Sequence, residues 1–210
     1  MSGRIDIRVD VLANNAAGAW WERIVTDDGN ELTFQVNDLA TFLLTNLLRE
    51  RSTRSQARVI NTASIAYRLA DLNLDTVDTH TGPYSIFRAY AASKLADILF
   101  TRELARRTEG TGLVTAAFHP GATASRLYDD VPLGLGRFIN SPIARPVFAG
   151  PAKGAAPLVY LATTADGSTI NGRYFNRFDL ERLRNTQAAD PDLAQRLWRL
   201  SEHATGVEPA

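Results

Sequence analysis

The chain is predicted to fold as an α/β domain on two observations. Short apolar runs alternate along the 210 residues with longer segments of helical periodicity, an order that builds a parallel sheet from crossover units. The composition, 45% hydrophobic and 22% charged, is that of one ordinary globular domain rather than a membrane or disordered chain.

Each element has a local reason. Residues 9–13 (VDVLA) form a short apolar run stopped by Asn14 and Asn15, and read as a buried strand. After the turn at 27–30 comes a long helix with Leu32, Val36, Leu39, Leu43 and Leu47 on one stripe. Phe34, Phe42, Leu44 and Leu48 widen that stripe almost all round, so the helix is expected to be covered on more than one side. Residues 58–63 (RVINTA) read as a second strand ending at Ser64, and the polar stretch 70–84 with Gly82-Pro83 as a loop. A helix through Tyr90 runs to about Arg107, closed by Glu109 to Gly112. Residues 113–118 (LVTAAF) are a third strand, ended by His119-Pro120-Gly121. Residues 122–150 hold several Pro and Gly with little periodicity and are expected to be a substrate-binding lid. An apolar helix (153–163), a last short strand (172–175, GRYF) and a helix opened by Asp190-Pro191 complete the chain. That last helix carries Leu193, Leu197 and Leu200 on one side, with Trp198 adjoining.

Charge and composition exclude several functions. Twenty-three basic and 23 acidic residues cancel, so no field points to nucleic acid or an acidic membrane. Cysteine is absent, which removes disulfide and thiolate chemistry and makes a cytoplasmic setting the default expectation. The opening MSGRIDIRVD cannot form a signal-peptide core, and the apolar stretches fall far short of a membrane span.

The chemistry concentrates in FRAYAASKLADILFTRELARR. Tyr90 and Lys94 stand four apart, so on a helix they share a face. A cation beside a phenol favours the phenolate, which suits proton transfer between an alcohol and a carbonyl near neutral pH. With six tyrosines and only two lysines (Lys94, Lys153) in the chain, such a pair arises by chance about 0.06 times. Ser64 lies at the carboxyl end of a strand, where open α/β sheets present ligands. Asn37, in an apolar helix, either satisfies backbone groups at a bend or anchors a water. His119, before Pro-Gly, reads as a packed or turn residue. Asp75, Asp78 and His80 (DTVDTH) lack a convincing ligand pattern, so no metal is expected. No Gly-x-Ser-x-Gly elbow supports a hydrolase.

The order Asn–Ser–Tyr–Lys resembles the short-chain dehydrogenase/reductase family, in particular its retinol-dehydrogenase-like and WW-domain-oxidoreductase-like branch. DVLANNAAG resembles that family's DVLxNNAG, and DGNELTFQVNDLATFLLTNLL its DGxExxFxVNxLGxFLLTxLL helix. RVINTAS, YAASKLADILFTREL, HPGATASRL, GAAPLVYLAT, GRYF and LAQRLWRLSE are similar to successive later motifs. The resemblance implies a Rossmann-like parallel sheet and NAD(P)-dependent interconversion of an alcohol and its carbonyl. It makes Tyr90 the general acid/base, with Lys94 on the nicotinamide ribose hydroxyls and Ser64 on the substrate oxygen. Asn37 would position a water as proton relay. Asn15, Tyr90, Lys94, Pro120, Gly121 and Ser125 would contact the cofactor. Leu127, Tyr128, Leu133, Leu135, Phe138 and Ile139 in the lid favour an apolar substrate.

One part of the pattern is missing. The family's TGxxxGxG loop, whose helix receives the pyrophosphate, does not occur. The residue that separates NAD from NADP would precede this sequence too. The expected fold therefore lacks its first three strands, and the 9–13 strand becomes a sheet edge open to pairing. Three explanations are open: the functional protein is longer, the gene is a decayed fragment, or the edge pairs with a partner chain or a second copy. The alternative to an enzyme is a non-catalytic binding or regulatory remnant of the same fold. A third reading is epimerisation or dehydration on a bound dinucleotide.

Overall fold

A computed structural model describes residues 8–76, 83–121, 150–163 and 166–207. Strands β1 (Val11–Asn14), β2 (Arg58–Thr62), β3 (Val114–His119) and β4 (Arg173–Asn176) run parallel in that spatial order. A fifth, β5 (Asp179–Leu180), turns back antiparallel on β4. The α/β reading and the four parallel strands agree with the sequence. β5, two residues long, is too short to leave a pattern there.

Helices cover both faces of the sheet. α1 (Leu32–Phe34) passes through a π-helical turn (Gln35–Leu39) into α2 (Ala40–Arg54). α3 spans Ile86–Arg107, α4 Pro151–Thr163 and α5 Pro191–Thr205. α5 begins where Asp190 accepts hydrogen bonds from the Asp192 and Leu193 amides, with Pro191 at the first turn. On one face Leu95, Ile98 and Leu99 of α3 and Leu197 of α5 pack with Tyr67, Ala117 and Tyr174. Beside them Trp198 stacks on Phe100 (5.7 Å between centroids) and meets Phe42 edge-on at 4.9 Å. On the other face Ile60, Ala116, Phe118 and Phe175 pack against Leu161 of α4. Adjacent residues such as Val59 and Ile60 therefore serve opposite cores, which is why β2 and β3 read as continuous apolar runs.

The α1–α2 helix departs from its hydropathy. Leu44 and Leu47 are 45% and 70% exposed, so the expected all-round cover is absent. The inward side is Phe34, Asn37, Asp38, Leu39, Thr41, Phe42 and Thr45. Its polar members are matched: Thr41 Oγ1 donates to the Asn37 carbonyl (3.0 Å), and Thr45 Oγ1 accepts from Asn14 Nδ2 (3.0 Å). Satisfied polar groups can lie inside at little cost, so counting apolar residues picks the wrong face.

Asn14 also begins a chain of side chains across the sheet. Its Nδ2 donates to Asn61 Oδ1 (2.8 Å), Asn61 Nδ2 donates to Thr101 Oγ1 (2.9 Å), and Thr101 Oγ1 donates to the Asp97 carbonyl (2.7 Å). Among the described residues β1 has one strand neighbour, β2, and stands at the edge with Val11 exposed.

Candidate active site

The carboxyl ends of the parallel strands meet the first turns of α3. β2 ends at Thr62, and Ser64 then caps a short 3-10 helix (Ile65–Leu69), its Oγ accepting from the Ala66 amide at 3.2 Å. Lys94 reaches back from α3 to this strand end, its Nζ donating to the Thr62 carbonyl at 3.0 Å. The same ammonium lies 5.8 Å from the centroid of the Tyr90 ring. The Tyr90 hydroxyl makes no hydrogen bond among the described residues, and the Ser64 hydroxyl donates none. The helical pair and the strand-end serine are thus joined through one backbone carbonyl, two residues before Ser64.

Asn37 lies in the π-helical turn, 1% exposed. Its Oδ1 accepts from the Gly18 amide (2.8 Å), and its Nδ2 donates to the Gly18 carbonyl (2.9 Å) and to Ser93 Oγ (2.9 Å). Ser93 in turn donates to the Tyr90 carbonyl (2.9 Å). The asparagine therefore fastens the segment after β1 to the tyrosine helix. π-turns often occur at functional positions, and this one brings Asn37 and Asp38 inward in succession.

Asn15 accepts from Thr62 Oγ1 at 3.0 Å, beside the same strand end. Pro120 and Gly121 follow β3. Gly121 has φ +92°, and a Cβ there would stand 3.5 Å from Arg177 Cδ, so the position is a glycine's for its backbone conformation. Ser125, residues 122–149 of the expected lid segment 122–150, Asp78 and His80 lie outside the described residues.

Two acidic residues escaped the sequence reading. Asp97, one turn past Lys94, accepts from Nζ at 2.8 Å, and both side chains are almost fully buried. Asp38, 2% exposed, has Ser201 Oγ of α5 at 3.4 Å. Burial lifts the Asp97 carboxyl to about 6 although Lys94 pulls it down. Burial, reinforced by Asp97, holds Asp38 well above the usual carboxylate range. Burial alone would weaken the Lys94 ammonium, but its neighbours, Asp97 foremost, outweigh it and the net shift is upward. The signal in the sequence was an acid three residues from Lys94 on a helix otherwise apolar at that turn.

A second polar cluster lies beyond Ser64. Arg68 forms a forked ion pair with Glu181 (2.5 and 3.1 Å), and the Tyr67 hydroxyl donates to the same carboxylate at 3.0 Å. The Tyr174 hydroxyl and His119 Nδ1 are buried without a hydrogen-bond partner among the described residues. Burial, then the Arg68 charge, lowers His119 to about 4, so it is neutral at physiological pH.

The chemistry of this donor set fits the nicotinamide half of a dinucleotide. An ammonium has three N–H groups; among the described residues Lys94 uses two, and the third would meet a hydroxyl of such a group. Gly121 lets backbone approach closely at the end of β3.

A family model for short chain dehydrogenases matches residues 4–133. The chain belongs to the short-chain dehydrogenase family. Within the family it falls in the retinol-dehydrogenase-like branch. Human retinol dehydrogenase 13 is 35% identical over 206 residues, covering 96% of this chain and 62% of that protein. DnrU of a Streptomyces strain, named for daunorubicin C-13 ketoreduction, is 37% identical over 200 residues (95% and 66% covered). The chain therefore spans less than two thirds of the length of these curated relatives. A solved Mycobacterium paratuberculosis protein superposes with a TM-score of 0.71 at 29% identity, covering 97% of this chain and 69% of the other. The NADP complex of Pseudomonas aeruginosa RhlG gives 0.59 at 25% identity (80% and 64% covered). Among the described residues no helix is long and apolar enough to cross a membrane.

Proposed function

We propose that this short-chain dehydrogenase interconverts an apolar alcohol and its ketone or aldehyde with NAD(P). One observation carries the reading: Lys94 holds its charge beside Tyr90 while hydrogen-bonding the strand end that leads to Ser64. The nicotinamide, when bound, supplies or accepts the hydride. Tyr90 takes the hydroxyl proton of an alcohol, or gives one to a carbonyl oxygen. Ser64 turns its undonated hydroxyl to the same oxygen and stabilises charge developing there. Lys94 keeps positive charge next to the phenol and offers its third N–H to the ribose. Asn37 ties the segment after β1 to α3, and the second lone pair of its Oδ1 would accept from a relay water. The apolar lid residues and the name of the retinol dehydrogenase relative support an apolar substrate. The RhlG complex supports NADP as one acceptable cofactor.

The test is dinucleotide-dependent turnover of a panel of alcohols and carbonyls by the whole protein to which this sequence belongs, with Tyr90→Phe alongside. Turnover of apolar substrates that drops at least 100-fold in Tyr90→Phe is expected. A preference for small charged substrates would overturn the substrate assignment, and dinucleotide binding without any turnover would favour the non-catalytic reading. The 210-residue chain alone is expected to bind NADH and NADPH weakly or not at all, since its sequence has no TGxxxGxG loop. Micromolar affinity in a fluorescence titration would refute that.

A further inference from the structure

Three ionisable side chains are sealed together beneath the active site, and their charges do not cancel if all are ionised. Lys94, Asp97 and Asp38 are each 2% exposed. One ammonium facing two carboxylates leaves a net negative charge out of water, a state costing several kcal/mol in a folded interior. A single proton resolves it.

The contacts decide where that proton resides. Lys94 Nζ is 2.8 Å from Asp97 Oδ2, and Asp97 is its only ion-pair partner among the described residues. Among the described residues Asp38 has only the Ser201 hydroxyl, at 3.4 Å. α3 contributes Tyr90, Lys94 and Asp97 to this region, and the π-turn contributes Asp38. β2 and α5 present only neutral groups, the Thr62 carbonyl and Ser201. No second cation faces Asp38 among the described residues.

We propose that Asp97 is the ionised positioning residue that holds the Lys94 ammonium beside Tyr90, and that Asp38 is carried as the neutral acid, so the buried trio has no net charge. The two aspartates are therefore not equivalent. Asp97 fixes the lysine on the Thr62 carbonyl and keeps it charged. Asp38 is an uncharged hydrogen-bonding group that keeps its proton at neutral pH while Asp97 is ionised. This inference rests on the reading of Lys94 as the charge beside the catalytic tyrosine, but its test does not require turnover.

The chain contains only two lysines, so isotope-labelled lysine gives two Nζ signals, and Lys153→Arg assigns them. The 13Cγ signals of labelled aspartate report each carboxyl group. At neutral pH the wild-type chain is expected to show Asp97 as carboxylate and Asp38 as carboxylic acid, with the Lys94 ammonium signal persisting to about pH 9. In Asp97→Asn the Lys94 amine form appears at least about one pH unit earlier than in wild type. Asp38→Asn replaces one neutral group by another and leaves the Lys94 signal as in wild type. Two ionised aspartates at pH 7, a protonated Asp97 beside an ionised Asp38, or equal effects of the two substitutions would each overturn the assignment. If Asp97→Asn fails to fold, the wild-type Cγ signals decide alone. Loss of turnover with this charge pattern intact would refute the dehydrogenase reading and leave the trio standing.

Discussion

Replacing Asn37 by alanine removes the joint between the post-β1 segment and the tyrosine helix. Three hydrogen bonds are lost at once, two to the Gly18 backbone and one to Ser93. At about 1 kcal/mol net for each, the sum is about 3 kcal/mol. Gly18 is only half-buried, so water recovers part of its share, and a loss of about 2–3 kcal/mol is expected. For a chain of this size that lowers Tm by about 5–10 °C in a calorimetric scan. Asn37→Asp separates shape from hydrogen bonding: its carboxylate keeps the Gly18 amide but faces the Gly18 carbonyl. That variant should be markedly less stable at pH 7 than at pH 4, where the protonated acid donates instead. Ser93→Ala loses the shared bond, about 1 kcal/mol, and the double variant with Asn37→Ala should cost less than the sum of the singles. A drop below about 0.5 kcal/mol for Asn37→Ala, or strict additivity with Ser93→Ala, would refute the view that Asn37 pins these elements.

Further outcomes are expected. Tyr90→Phe should leave the melting temperature unchanged, because the hydroxyl makes no hydrogen bond among the described residues, while turnover falls at least 100-fold. His119 has a folded-state value of about 4 against an ordinary 6.5. The unfolded chain thus binds a proton across that window while the folded chain does not. Stability is full above about pH 6.5 and declines by at most about 3 kcal/mol as pH falls toward 4. Urea titrations of wild type and His119→Gln should differ in this slope, and identical slopes would exclude the histidine as its source. Glu181→Gln removes a charge that receives Arg68 and Tyr67 together; a loss of about 1.5–3 kcal/mol is expected in denaturant unfolding.

The elements that carry the chemistry were legible in the residues because their signals are local. The tyrosine–lysine spacing, the apolar runs of β2 and β3, and the Asp190-Pro191 helix start each depend on a few neighbours along the chain. What the sequence concealed depends on tertiary partners. Asp38 and Asp97 look like solvated helix charges until Ser201 and the strand end of β2 are placed against them. Leu44 and Leu47 look like core, whereas Thr41 and Thr45 occupy the inside because Asn37 and Asn14 satisfy them. The role of Ser93 depends on an asparagine far away in sequence, and no periodicity encodes that.

The Asn14–Asn61 amide pair has a consequence for how the outermost strand finds its place. β1 is four residues long and hydrogen-bonds a single neighbour, so ladder bonds alone discriminate weakly between alignments. Sliding it by one position would swing Asn14 to the opposite side of the sheet, the exposed side that carries Val11 and Ala13, and leave the buried Asn61 Oδ1 without its donor. A one-residue slip thus breaks the amide pair and leaves a buried amide oxygen unmatched. The rim of the sheet is keyed by polarity rather than by grease, and hydrophobic substitution of either asparagine should loosen that key before it weakens the core.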